Sequence, residues 1–168
     1  MNNDIKGMQE RARVLIQNYL AARQGLMDLG ILRSERNLQG DYAEWLVAKM
    51  LHLQLVPNTV QKGIDATDTN GCTYQIKSRL VKSLEQNTSF DFKMIDPRFD
   101  YLVCVFFSSE FEPIGIVRVP YEVVHELGIQ NTNGFRFRWN KHNAKDVRFE
   151  YLFFPKRGNI PKTKVRVN

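Results

Sequence analysis

The chain has 168 residues, the length of about one domain and enough to bury a core without disulfide or metal staples. Hydrophobic residues make up 43% and charged residues 25%, which excludes a largely disordered chain, a collagen-like fibre and a disulfide scaffold. The net charge of +6 is uneven: positions 131–168 hold ten basic and two acidic residues (+8), and the remainder holds 14 basic and 16 acidic (−2).

The first residues lack the apolar stretch of a signal peptide. From Ile5 to Leu29, apolar residues recur at alternating steps of three and four: Ile5, Met8, Ala12, Leu15, Tyr19, Ala22, Leu26, Leu29. This a/d-type seam predicts one long helix over 5–29, stopped by Gly30. The helix is expected to pack along its own domain; the other reading is that it pairs with a second subunit. A second helix is expected from Ser34, a good N-cap, to about Leu53. Within it Tyr42-Ala43-Glu44-Trp45-Leu46-Val47-Ala48 is nearly all apolar around Glu44, which has no basic residue at i+3 or i+4 to pair with.

Residues 59–80 predict a β-hairpin with strands near 60–68 and 72–80, turning at Asn70-Gly71. Residues 81–99, polar and containing Pro97, are expected to be a loop. Tyr101 to Phe107 is a near-continuous apolar run, suited to a central strand and far too short to cross a bilayer. Ile114 to Val119 predicts another strand, and Pro120 opens a short helix to about Leu127. Gly128 to Gly134 reads as a loop. Phe135-Arg136-Phe137-Arg138-Trp139 alternates strictly and predicts a strand with a basic outer face; Phe149 to Phe154 predicts one more. From Pro155 on, the basic, proline-containing end is expected to be an extended arm. The order of elements predicts a single α/β domain, a mixed sheet covered by helices. It divides into an N-terminal helix (1–33), a core (34–127) and basic C-terminal strands and tail (128–168).

The residues best suited to chemistry are Glu44, Asp65, Gln75 and Lys77. Period two places Gln75 and Lys77 on one face of their strand and Tyr74 and Ile76 on the other. A two-residue hairpin loop would set Asp65 opposite Ile76. A three-residue loop, Thr69-Asn70-Gly71 with Gly71 left-handed, sets it opposite Gln75, and both registers are open to the sequence. Two carboxylates and an amide oxygen are hard ligands of the kind Mg²⁺ takes, and a lysine beside them can stabilise developing negative charge or help position the attacking water. A solvated hairpin face would explain Gln75 and Lys77 as well, together with Thr73 and Arg79.

Gly63-Ile64-Asp65 followed by Gln75-Ile76-Lys77, after the helical Glu44, resembles the PD-(D/E)xK nuclease superfamily, the restriction-endonuclease-like group that includes Holliday-junction resolvases and Mrr-like enzymes. The motif resemblance covers about residues 40–80; the order of elements to about Leu127 fits the family core less closely, and 131–168 matches nothing in it. The resemblance implies a restriction-endonuclease-like fold. It implies an Mg²⁺-dependent DNA endonuclease (Mn²⁺ substituting) of restriction, defence, repair or recombination type. Asp65 and Glu44 would be metal ligands, Gln75 would stand in the second acidic place, the Ile76 carbonyl could reach the metal, and Lys77 would be the catalytic lysine. Two positions depart from the motif. Ile64 replaces proline, and Gln75 replaces Asp or Glu, as in Mrr-like members, and removes one negative charge.

Duplex DNA is the expected partner, gripped by Arg79, Arg136, Arg138, Lys141 and Lys145 through phosphates, and cutting both strands would call for a homodimer. A nucleic-acid-binding protein with an inactive site on the same fold is the alternative, and the basic end could equally be a solubilising tail. His52, His125 and His142 have no metal or triad spacing. Cys72 and Cys104 have no metal-ligand spacing either, and fit a reducing compartment, so a cytoplasmic protein is expected.

Overall fold

The computed structural model describes residues 2–33, 37–57, 63–93, 98–132 and 134–154. The expected arm from Pro155 onward, Ser34 and Pro97 lie outside the described residues.

Helix α1 spans Asn2–Asp28 and ends as its sequence directs. Gly30 takes a left-handed φ of 69°, and the Ile31 N–H reaches back to the Leu26 carbonyl at 3.0 Å, closing the helix end. The expected packing of this helix along its own domain is overturned. Residues 7–22 are exposed throughout, with Met8, Leu15 and Tyr19 of the seam 63–68% exposed. Helix α2 spans Leu38–Leu51, starting later than expected from Ser34. Asn37 caps it, its side chain accepting the Gly40 N–H at 3.0 Å, so an equally good cap lies nearer the apolar stretch. His52 closes the helix in the left-handed conformation.

The strands are β1 (Gln54–Leu55), β2 (Ala66–Thr67), β3 (Thr73–Leu80), β4 (Thr88–Lys93), β5 (Tyr101–Phe107), β6 (Pro113–Pro120), β7 (Gly128–Asn131), β8 (Gly134–Trp139) and β9 (Glu150–Phe153). Helix α3 (Tyr121–Glu126) follows β6 directly. Among the described residues, six strands form a mixed sheet in the order β1-β2-β3-β5-β6-β9, in which only β3 and β5 run parallel. A mixed central sheet with a long N-terminal helix is therefore present.

The covering of the sheet differs in part from the expected cover of helices. One face packs on α2: Ala43 and Val47 meet Tyr74, Ile76, Val103, Val105 and Ile116. The other face is covered by a second, three-stranded sheet, β4-β8-β7, with α3 beside it. Its inward residues Phe90, Phe137 and Trp139 are essentially fully buried against Leu102, Cys104 and Phe106.

Two segments expected to be loops thus supply strands. Thr88–Lys93 carries the period-two pattern, with Phe90 and Phe92 buried and Asp91 and Lys93 exposed, but its polar surroundings hid it. Gly128–Asn131 is a mostly exposed strand with a single apolar residue, Ile129, and so no alternation to read; among the described residues it pairs with β8.

The hairpin at Gly71 adopts the three-residue loop. Ala66 faces Tyr74 and Thr67 faces Thr73. Gly71, at φ 83°, donates to the Asp68 carbonyl at 3.1 Å, and the Asp68 N–H bonds the Cys72 carbonyl at 3.0 Å. The Asp68 side chain locks the turn by accepting the Asn70 and Cys72 N–H groups, each at 2.9 Å.

Candidate functional site

The register of the hairpin decides where Asp65 lies. It stands one step beyond the Ala66–Tyr74 pair, next to the middle of β3. Its own N–H reaches back to the Tyr74 carbonyl at 2.8 Å, so regular pairing opens there. Into that opening the carboxylate turns, and its Oδ2 accepts the Ile76 N–H at 2.7 Å. Asp65 thereby touches the strand between the two residues, Gln75 and Lys77, that the motif pairs with it. At Ile76 it is the N–H, rather than the carbonyl, that meets the Asp65 carboxylate.

Gln75 is 6% exposed, and its Oε1 is buried without a hydrogen-bond partner. An orphaned acceptor of this kind costs about 1–3 kcal/mol unless something supplies a donor or a cation. Lys77 shares that face of β3, its Nζ 4.9 Å from the centre of the Phe92 ring on β4. The second sheet thus forms the wall against which the lysine lies.

Glu44 approaches from α2. Burial and then the neighbouring Asp65 carboxylate push its pKa up to about 7, against the opposing pull of Arg33. That dependence on Asp65 places the two carboxylates within electrostatic reach of each other. Among the described residues, no three His, Cys, Asp or Glu side chains gather as a metal site. The candidate set is two carboxylates within electrostatic reach of each other and one amide, Gln75, on β3 next to the Ile76 N–H that Asp65 holds; carboxylate and amide oxygens are the hard donors a divalent cation takes.

Arg33 and Asp41 belong to the same neighbourhood, and sequence reasoning missed both. The Arg33 guanidinium forms an ion pair with Glu44 and donates to the Val56 carbonyl at 3.2 Å; its Nε is buried without a partner. Buried Asp41 accepts the Arg33 backbone N–H at 2.9 Å. Glu44 looked unpaired because helix spacing searches only i+3 and i+4. Its partner lies eleven residues upstream, on the connection between two helices, where no periodicity points to it.

The expected DNA-contacting residues divide. Arg136 and Arg138 sit side by side on the exposed face of β8, as alternation requires. With Lys93, Ile129 and Asn131 they line an open concavity of about 520 Å³. Arg136 is paired with Asp91 at 2.6 Å. Lys141 and Lys145 are exposed just beyond the strand. Arg79 is turned inward, donating to the Ser89 and Ser78 carbonyls, both at 2.9 Å, with its guanidinium over the Phe90 ring. Arg148 is committed to Asp146 and Glu126, each at 2.7 Å.

No helix among the described residues is long and apolar enough to cross a membrane. No protein-family model matches the chain, and no curated protein matches it.

Proposed function

We propose that the chain is a Mg²⁺-dependent endonuclease acting on duplex DNA in the cytoplasm, on a restriction-endonuclease-like fold. The observation that carries this reading is the Gln75 amide oxygen, buried and unpartnered on β3 next to Ile76, whose N–H is held by Asp65, the carboxylate that helps raise the Glu44 pKa. In this reading those three residues hold the ion, with the Ile76 carbonyl as a further oxygen. A bound Mg²⁺ would offset phosphate charge and make its water a better nucleophile at neutral pH. Asp65, braced by the Ile76 N–H, keeps its carboxylate fixed on β3. Lys77, on the same face as Gln75, stabilises negative charge developing on the phosphate or helps position the water. Arg136, Arg138, Lys141 and Lys145 grip the backbone away from the reacting bond, which gives affinity without sequence preference. Cutting both strands takes two sites, and the unpartnered α1 supplies a surface on which a homodimer can form.

The test is metal-dependent cleavage of plasmid and branched DNA by the wild type, Lys77→Ala and Asp65→Asn. Cleavage with Mg²⁺ or Mn²⁺ that drops at least about a hundredfold in both variants supports the reading. Salt-sensitive DNA binding with no cleavage by the wild type would replace it with the alternative, a nucleic-acid-binding protein on this fold. The substitution of a neutral glutamine for an acid keeps that alternative in the comparison.

A further inference from the structure

Among the described residues, two buried side-chain polar atoms lack a hydrogen-bond partner: the acceptor Oε1 of Gln75 and the donor Nε of Arg33. Arg33 is bound to Glu44, and Gln75 stands on β3 next to Ile76, whose N–H is held by Asp65. The described residues thus leave one acceptor without a donor and one guanidinium N–H without an acceptor. Arg33 already neutralises Glu44 through an ion pair in which both side chains are mostly buried. Its backbone is pinned by the Asp41 carboxylate, and the preceding Leu32 is buried, so the guanidinium can leave while the chain stays in place.

We propose that Arg33 is the resident counter-ion of this site: it holds the Glu44 carboxylate while no divalent cation is bound, and releases it to the ion that enters. This deepens the metal-dependent reading above and rests on it. The physical argument is competition. One carboxylate in a confined space cannot fully satisfy a guanidinium and a divalent cation at once, and the two cations repel at short range. The unmet Nε marks the present arrangement as incompletely bonded, which lowers the cost of giving it up. Arg33 is a positioning residue in this scheme, acting through Glu44.

The test is Mn²⁺ binding to the full chain at pH 8, followed by the electron paramagnetic resonance signal of free Mn²⁺, with thermal unfolding recorded with and without the ion. Arg33→Met removes the charge and keeps the aliphatic stem, and it is expected to bind Mn²⁺ about tenfold more tightly than the wild type. Arg33→Lys, which keeps the charge, should stay within about threefold of the wild type. The gain should vanish when Arg33→Met is combined with Glu44→Gln. Unchanged or weaker binding by Arg33→Met, or a gain that survives Glu44→Gln, overturns the proposal. Should Arg33→Met fail to fold, Arg33→Gln, which retains a donor for the Val56 carbonyl, carries the same comparison. If the wild type takes up Mn²⁺ in a way that Asp65→Asn abolishes and Arg33→Met shows no gain, the counter-ion role alone falls. If no variant takes up Mn²⁺, the metal site falls with it.

Discussion

At the scale of the residue, Glu44 is the group with the most to reveal. Its pKa is raised, chiefly by burial, from 4.5 to about 7. A raised folded-state pKa means that the folded protein binds this proton more tightly than the unfolded chain does. The associated stability is present in full below about pH 4.5, declines as pH rises, and is gone once pH passes about 7. The metal-free wild type should therefore lose up to roughly 3 kcal/mol between pH 4.5 and 8 from this residue, and Glu44→Gln should lose much less. Urea unfolding at several pH values, with metal chelated, measures the difference; parallel profiles for the two proteins would mean that Glu44 is not buried in this way. The arginines make a second comparison. Arg138 presents its side chain on an exposed strand face, whereas Arg148 is held by two carboxylates. If β8 tracks the phosphates, Arg138→Ala should lower the slope of log affinity against log salt by about one, and Arg148→Ala by clearly less. Equal slopes for both variants would place the DNA elsewhere.

At the scale of the element, the hairpin loop controls the site. Gly71 has open space around its Cα, so Gly71→Ala adds no clash and pays only for the left-handed backbone, about 1 kcal/mol. Gly71→Asn should cost less, since asparagine tolerates that conformation. Gly134 differs: a Cβ there would lie 1.8 Å from the Phe92 carbonyl oxygen, inside the β4–β8 pair. Gly134→Ala should destabilise by several times the Gly71→Ala cost, read as the shift of the urea midpoint. The same elements show what a sequence can disclose. Asn70-Gly71 located the turn, and a left-handed glycine after two turn residues offered the register that is found. Neither sets Asp65 against the Ile76 N–H, because that contact depends on the ladder opening one residue earlier. The Thr88–Lys93 strand was legible in its alternation, but a six-residue pattern amid polar residues competes with the loop signal around it. Arg33 was beyond reach: its meeting with Glu44 is set by how two helices are joined, a tertiary fact with no local signature.

At the scale of the whole molecule, α1 is the element that one chain does not account for. Its 27 residues extend about 40 Å at the usual rise per residue, and residues 7–22 are exposed along its whole girth. A lone helix of this length is marginal in water, and its face leaves Met8, Leu15, Ile16, Tyr19 and Leu20 exposed, apolar area that a second helix would cover. The spacing of its seam fits a second copy laid antiparallel. Met8 then meets Leu26, Leu15 meets Tyr19, and the small Ala12 meets the small Ala22, while Arg11 falls near Gly25 and not near another cation. Replacing both Leu15 and Tyr19 by Glu removes two apolar contacts worth about 2 kcal/mol each and sets like charges across the seam. The wild type should sediment as a dimer at micromolar concentration, and the double variant as a monomer that keeps its core. Near-ultraviolet circular dichroism checks the core, since Trp139 and its aromatic neighbours lie far along the chain in the β layers. A wild type that stays monomeric at tens of micromolar would refute self-pairing. A monomeric double variant that still nicks one strand of a plasmid, but no longer linearises it, would tie the second copy to the second cut, because each site would then act on one strand alone.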